Sequence, residues 1–173
     1  MRFAVREATL DDARGIARVH TDSWQESYRG ILPSQVLDRI DVGQRLATRE
    51  RILREQGGLH LVAYDLTHGD IVGFCDAGAN RGAIATSARY AGEIYAIYFA
   101  HHAKRHGLGT EMFERVRAWL PAHAMYSMII WVLANNPHAR RFYEAMGGAN
   151  GPTKHSSVGG FPVVEQAYLW ARV

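Results

Sequence analysis

Residues 93–133 do most to fix what this chain can become. Glu93 to Ala100 reads EIYAIYFA, a β-branched and aromatic run of strand length, and predicts a buried strand. Glycines follow at 107 and 109. From Gly107 to Leu120 the residues Leu108, Met112, Phe113, Val116, Trp119 and Leu120 recur as one apolar stripe, which predicts a helix stopped by Pro121. Met125 to Leu133 is a second apolar strand. Strand, helix, strand in that order calls for a parallel crossover, with the helix lying on one face of the sheet.

The rest of the chain supplies partners for that unit. Phe3 to Ala8 alternates as a strand, and Thr9 with Asp11 and Asp12 is helix-start chemistry. Ala13, Ile16, Ala17, His20 and Trp24 keep helical spacing until Tyr28 to Pro33 breaks it. Pro33 to Ile40 and Gly43 to Gln56 read as a second helical pair. Leu59 to Leu66 and Ile71 to Ala77 read as strands joined by a hairpin loop at Thr67 to Asp70. Asn136-Pro137 is an N-cap with proline in the first helical position. Ala139, Phe142, Tyr143 and Met146 form the stripe of that helix, Gly147-Gly148 ends it, and Val163 to Ala171 is a last strand. The expected class is α/β, a mixed sheet with helices on both faces, in one domain over residues 1–173.

Composition narrows the setting. At 173 residues with 47% apolar and 21% charged side chains, the chain can bury a full core. The longest apolar stretch, Met125 to Ala134, is about half of what a membrane-spanning helix needs. The first residues carry no apolar h-region of a secretory leader. Cys75 is the one cysteine, so neither a disulfide nor a thiolate metal cage is expected, which fits the reducing cytoplasm. The net charge is +3 and the charges are scattered, except for Arg45, Arg49, Arg51 and Arg54. Those four read as the wet face of a helix whose Leu46, Ile52 and Leu53 turn inward. No basic stripe with interleaved aromatics is present, which argues against nucleic acid. The basic balance suits a small anionic ligand.

Three features could carry chemistry. The loop Lys104-Arg105-His106-Gly107-Leu108-Gly109-Thr110 joins a strand to a helix N-terminus, where free amides and the helix dipole bind phosphate. On spacing alone an ordinary tight turn explains it equally well. No Lys-Ser/Thr pair follows the glycines, and Met112 holds the place of a third glycine, so it is neither a P-loop nor a full dinucleotide fingerprint. Asn136 and Tyr143 are seven residues apart and share a helix face, though an N-cap and a core aromatic are the simpler readings. A phenol stays protonated at neutral pH and can give its proton to a leaving thiolate. Glu93 opens an apolar strand and is either a general base or a solvated strand end. His101, His102 and His106 lack a third ligand, so no metal is expected.

Together these residues resemble the GCN5-related N-acetyltransferase (GNAT) superfamily. The family loop is Gln/Arg-x-x-Gly-x-Gly/Ala after an apolar strand end, here Ile97-Tyr98-Phe99 and then Lys104 through Gly109. Its later signature is Asn136, Ala139, Phe142-Tyr143 and Gly147. The opening VREATLDDARGIARVHTDSWQESYRGILP and the close from Gly159-Gly160 through Glu165 to Tyr168 and Trp170 are similar to many bacterial members. The resemblance implies a twisted mixed sheet of six to seven strands with about four helices, and acetyl transfer from acetyl-CoA to a primary amine of a small molecule or peptide. The amides of Arg105, His106, Gly107, Leu108, Gly109 and Thr110 would hold the pyrophosphate. Ile97, Tyr98 and Phe99 would line the pantetheine, with a backbone N–H polarising the thioester carbonyl, and Asn136 would contact the pantetheine arm. Tyr143 would be the acid, and Glu93, eleven residues before Lys104, the base, directly or through a water. Trp24, Tyr28 and Glu165 would form the acceptor pocket. A homodimer fits the family habit.

Some positions depart from the pattern. Lys104 stands for Gln or Arg, Arg105 for a common Gly, and His101 for a common Pro. Gly148 stands for Phe, which predicts looser packing after the helix. Trp131 stands where the branch acting on protein N-termini has Glu. A non-catalytic acyl-CoA-binding module and a protein- or RNA-directed acetyltransferase remain the alternatives.

Overall fold

The computed structural model describes residues 2–39, 41–55, 57–82 and 89–173. Ile40 and Gln56, the far ends of two predicted helices, lie outside the described residues. The strands are β1 (Phe3–Glu7), β2 (Gly58–Asp65), β3 (Ile71–Ala79), β4 (Gly92–Phe99), β5 (Met128–Leu133), β6 (Ala149–Val158) and β7 (Phe161–Trp170). The helices are α1 (Ala13–Ser27), α2 (Ser34–Leu37), α3 (Val42–Arg54), α4 (Leu108–Ala122) and α5 (Pro137–Ala145). Among the described residues all seven strands join one sheet in the order β1-β2-β3-β4-β5-β7-β6. The β4–β5 pair is parallel, as the crossover requires, and the other pairs are antiparallel.

Two apolar layers hold the helices. Met112, Phe113, Val116 and Leu120 of α4 pack with Leu61, Cys75, Ile94, Met128 and Ile130 on one face, where α5 adds Tyr143. On the other face Ile16 and Val19 of α1 meet Val62 and Phe74, with Leu53 of α3 against them. Helix α1 starts at Asp12, whose carboxylate accepts the Thr9 N–H at 2.8 Å and two Arg6 nitrogens at 2.6 and 2.8 Å. No described helix is long and apolar enough to cross a membrane.

Three local expectations change. Strand β6 was absent from the sequence pattern because it is the sheet edge: ANGPTKHSSV is half-exposed, pairs only with β7 and holds Pro152 inside a register shift between Asn150 and Thr153. Pro121 does not stop α4, which runs to Ala122; the chain leaves the helix as Ala124 takes φ +59°. Gly148 does not loosen the core. The Trp170 indole fills the space, and a Cβ at 148 would come within 2.7 Å of its ring.

The register of β3 against β4 slips between Asp76 and Ala77, so Tyr95 is an extra residue and β4 bends there. Closer to its end β4 is pinned by an aromatic over a glycine. Phe99 sits opposite Gly73, and a Cβ at 73 would fall 2.2 Å from its ring. Gly73→Ala is expected to cost about 1–3 kcal/mol by overpacking, read as a lower urea midpoint at unchanged slope.

Candidate active site

The site begins where β4 and β5 part. They pair only through Gly92, Glu93 and Ile94 against Met128, Ile129 and Ile130. Among the described residues the edge of β4 beyond Ile94 faces no strand, while β5 continues against β7 to Leu133. The loop into α4 follows directly from this open end. Its backbone turns through a left-handed Arg105 (φ +65°) and a left-handed Gly107 (φ +80°), the N-cap of α4. Among the described residues, none of the N–H groups of 105–110 has a hydrogen-bond partner. Six consecutive free amides at the positive end of a fifteen-residue helix are donors of the kind that suits an oxyanion. Gly109 lets α5 close on them, since a Cβ there would press on Phe142 at 3.3 Å. Arg105 explains the family's glycine at its position: only glycine takes that φ without cost. Lys104, just before these amides, points its ammonium at an acid of α1. Its Nζ is 2.9 Å from Glu26, which also accepts from His101.

Tyr143 is buried on α5, in the same apolar layer as Leu108 and Met112 of α4. Burial, then the neighbouring Tyr98 hydroxyl and Cys75 thiol, push its phenol well above its usual value, so it holds its proton. Its hydroxyl has no hydrogen-bond partner among the described residues. Burial also raises the Cys75 thiol, which leaves it a small apolar residue. Asn136 accepts the Ala139 N–H at 3.2 Å as the cap of α5, and its amide NH2 remains available.

The opposite face of β4 is aromatic. Ile97 and Phe99 pack toward α4 whereas Tyr98 turns toward α1, so these three side chains do not share one wall. Tyr98 and Tyr28 bring their hydroxyls to 2.9 Å, and Trp24 stands edge-on to Tyr28 at 4.7 Å. Burial raises both phenols; the Tyr98 charge and hydrogen bond raise Tyr28 further, whereas at Tyr98 burial outweighs the Tyr28 hydrogen bond, which lowers it. Glu165 is ion-paired with Lys154 at 3.3 Å, and that ammonium lies 4.2 Å over the Trp131 ring. A cleft of about 350 Å³ opens beside them, lined by Ile31, Leu133, Asn135, His155, Phe161 and Val163 among others.

Two charged groups differ from a solvated strand end and a wet helix face. Glu93 is buried, and Arg81 grips it: Oε1 accepts Nη2 at 2.5 Å and Nε at 3.2 Å, and Oε2 accepts the Arg81 backbone N–H at 2.9 Å. Oε2 therefore keeps a lone pair for one further donor. On α3 the arginines divide. Arg51 and Arg54 are exposed and pair with Glu55 and Glu50, but Arg49 is buried with Nη1 at 2.7 Å from both oxygens of Asp76. His60 Nδ1 also lies 2.7 Å from Asp76. Burial alone would raise Asp76; the His60 hydrogen bond and the Arg49 charge outweigh it and hold the carboxyl below its usual range. The signal for this network was a lone acid in the apolar run IVGFCDAGA.

Residues 17–148 match the model of the acetyltransferase (GNAT) family. The chain is 34% identical over 142 residues to the uncharacterized N-acetyltransferase YuaI of Bacillus subtilis (strain 168), covering 82% of this chain and 77% of that one. Its fold matches the PaiA N-acetyltransferase of Thermoplasma acidophilum in complex with coenzyme A (TM-score 0.72, 15% identity, 96% and 98% of the two chains). It also matches yncA, a putative acetyltransferase of Salmonella typhimurium with acetyl-CoA (TM-score 0.71, 18% identity, 98% and 94%). At these identities the structural likeness is one of fold.

Breaking the buried triad has a defined pH signature. Asp76→Asn is expected to cost about 3–5 kcal/mol at pH 7, because Arg49 is left buried without its anion. The native Asp76 carboxyl titrates below its ordinary 3.8, so the stabilisation is complete above that pH and is lost as the pH falls through the lowered value. Urea unfolding of both proteins at pH 7 and at pH about 3 should show the gap narrowing in acid.

Proposed function

Because the chain belongs to the acetyltransferase (GNAT) family, we propose that it transfers an acetyl group from acetyl-CoA to a primary amine of a small molecule or peptide within one ternary complex. The observation that carries this reading is the run of six free amides at 105–110, set at the open end of the β4–β5 gap, with Tyr143, whose hydroxyl has no partner among the described residues, in the apolar layer that also holds Leu108 of α4. Acetyl-CoA supplies a thioester, whose C–S bond breaks as the new C–N bond forms.

The chain's own groups then have distinct tasks. The amides of 105–110 bind the pyrophosphate through backbone contacts, which is why Lys104 can be committed to Glu26 without loss. The unpaired edge of β4 past Ile94 offers backbone N–H groups to the pantetheine arm and to the thioester carbonyl, where developing negative charge is stabilised. Asn136 donates its amide NH2 to the same arm. Tyr143 gives its proton to the departing thiolate sulfur. Glu93 takes the ammonium proton through a water on the open lone pair of Oε2, since Arg81 occupies the other positions. Trp24, Tyr28 and Tyr98 form the wall against which the acceptor is oriented, and orientation supplies much of the rate.

Thiol release from acetyl-CoA against a panel of polyamines, amino acids, aminoglycosides and short peptides tests the reading, with the acetyl-CoA-induced rise in melting temperature as its separate check on cofactor binding. A rise without turnover of any amine would count against a catalytic role. Tyr143→Phe is expected to lower kcat on the order of 100-fold while the acetyl-CoA affinity holds, because the lost proton donor acts only in the transition state. Equal turnover in that variant removes Tyr143 as the acid. Glu93→Gln is expected to shift the kcat/KM profile toward higher pH, where the acceptor arrives already deprotonated; an unmoved profile removes Glu93 as the base.

A further inference from the structure

Arg45 is the arginine of α3 that no carboxylate neutralises among the described residues. Arg49, Arg51 and Arg54 each have one. The acid of the buried network, Asp76, is committed to Arg49 and His60, and Asp41, one turn before Arg45, caps the helix by accepting the Gly43 N–H. Yet Arg45 is not a solvated surface group. Its guanidinium lies 5.0 Å over the Trp24 ring, and one of its terminal nitrogens is 2.7 and 2.8 Å from the two ring nitrogens of His20. Among the described residues its Nε, shielded from solvent, has no hydrogen-bond partner, and neither has the neighbouring Trp24 indole N–H. His20 neutralises nothing: burial and the Arg45 and Arg49 charges push it down to about 3, so at pH 7 it is an uncharged hydrogen-bond acceptor.

This cation sits at the acceptor wall. His20 stacks on Tyr98 at 5.3 Å, and Trp24 is 6.5 Å from the same ring, on the strand that borders the open gap. A half-buried fork of donors beside an unpaired indole N–H wants an oxygen anion, and a planar guanidinium matches a carboxylate in two parallel hydrogen bonds.

We infer that Arg45 is a specificity residue that receives the carboxylate of an acceptor carrying both an amine and a carboxylate, an amino-acid-like molecule. The inference rests on the acetyl-transfer reading above and names the acceptor class for it. Arg45 sets which amine is positioned; it takes no part in proton transfer or bond breaking. The carboxylate enters as a free oxyanion and leaves unchanged, so no covalent step is added.

The test compares matched acceptors in the thiol-release assay: α- and ω-amino acids of increasing chain length, each against the amine lacking its carboxyl group. The carboxylated member is expected to have the higher kcat/KM by about tenfold to a hundredfold, the range of a charge-assisted hydrogen-bond pair. Arg45→Gln should bring that ratio to about one through KM, and Arg45→Lys, which keeps the charge without the fork, should fall between. Equal use of both members, or a preference that survives Arg45→Gln, overturns the proposal. So does a panel on which no amino acid reacts while acetyl-CoA still raises the melting temperature. Loss of the acetyl-CoA response itself, in the unmodified protein, instead overturns the acetyl-transfer reading. Rescue by Arg45→Lys also separates recognition from a packing role on Trp24, since a packing defect would depress both members of each pair alike.

Discussion

Parallel strands β4 and β5 share only three register pairs before they separate, and the rest of the site depends on that separation. A strand edge in the middle of a sheet carries N–H and C=O groups that need partners. Here the β4 edge past Ile94 is left open at the point where the chain turns into the free amides of 105–110. The bulge at Tyr95 bends β4 just as the pairing ends. Strand β5 stays anchored on its other side by β7. The opening is therefore built into a sheet that is otherwise continuous from Phe3 to Trp170.

The two faces of β4 are given different work by the alternation of a strand. Ile97 and Phe99 point to the α4 layer and hold the amide loop in place through the packing of Phe99 near Gly109. Tyr98 points to the α1 layer, where it joins Tyr28, Trp24 and His20. Acid, base and wall candidates thus come from three segments, α1 with its C-cap, β4 and α5, and Arg81 joins them by holding Glu93. Charge follows the same division. The buried Asp76 balances Arg49, and Arg45 has no anion of its own among the described residues.

Much of this was legible from the residues in order. The crossover from 93 to 133, the amphipathic stripe of α4 and the Asn136-Pro137 start of α5 read directly, because hydrophobic period and capping chemistry are local properties. The glycines of the loop and the Asn136, Phe142-Tyr143 and Gly147 spacing pointed to the family. Family membership then followed from the match over residues 17–148. Strand β6 escaped because an edge strand needs no apolar alternation, and its Pro152 and Gly151 look like loop chemistry until β7 is beside them.

What the sequence by itself determined is the order of elements, the apolar faces they present and the chemistry available at Lys104 to Thr110, Asn136 and Tyr143. Those follow from nearest-neighbour backbone preferences and a 3.6- or 2-residue period. Only the tertiary structure decided which charges are buried and which are paired. The same spacing that reads as a wet helix face puts Arg49 on Asp76, twenty-seven residues away, and leaves Arg45 on Trp24. It also decided that Glu93 meets Arg81 and that Lys104 turns to Glu26. Pair electrostatics depend on distance and on exclusion of water, and neither is set until distant segments pack against one another.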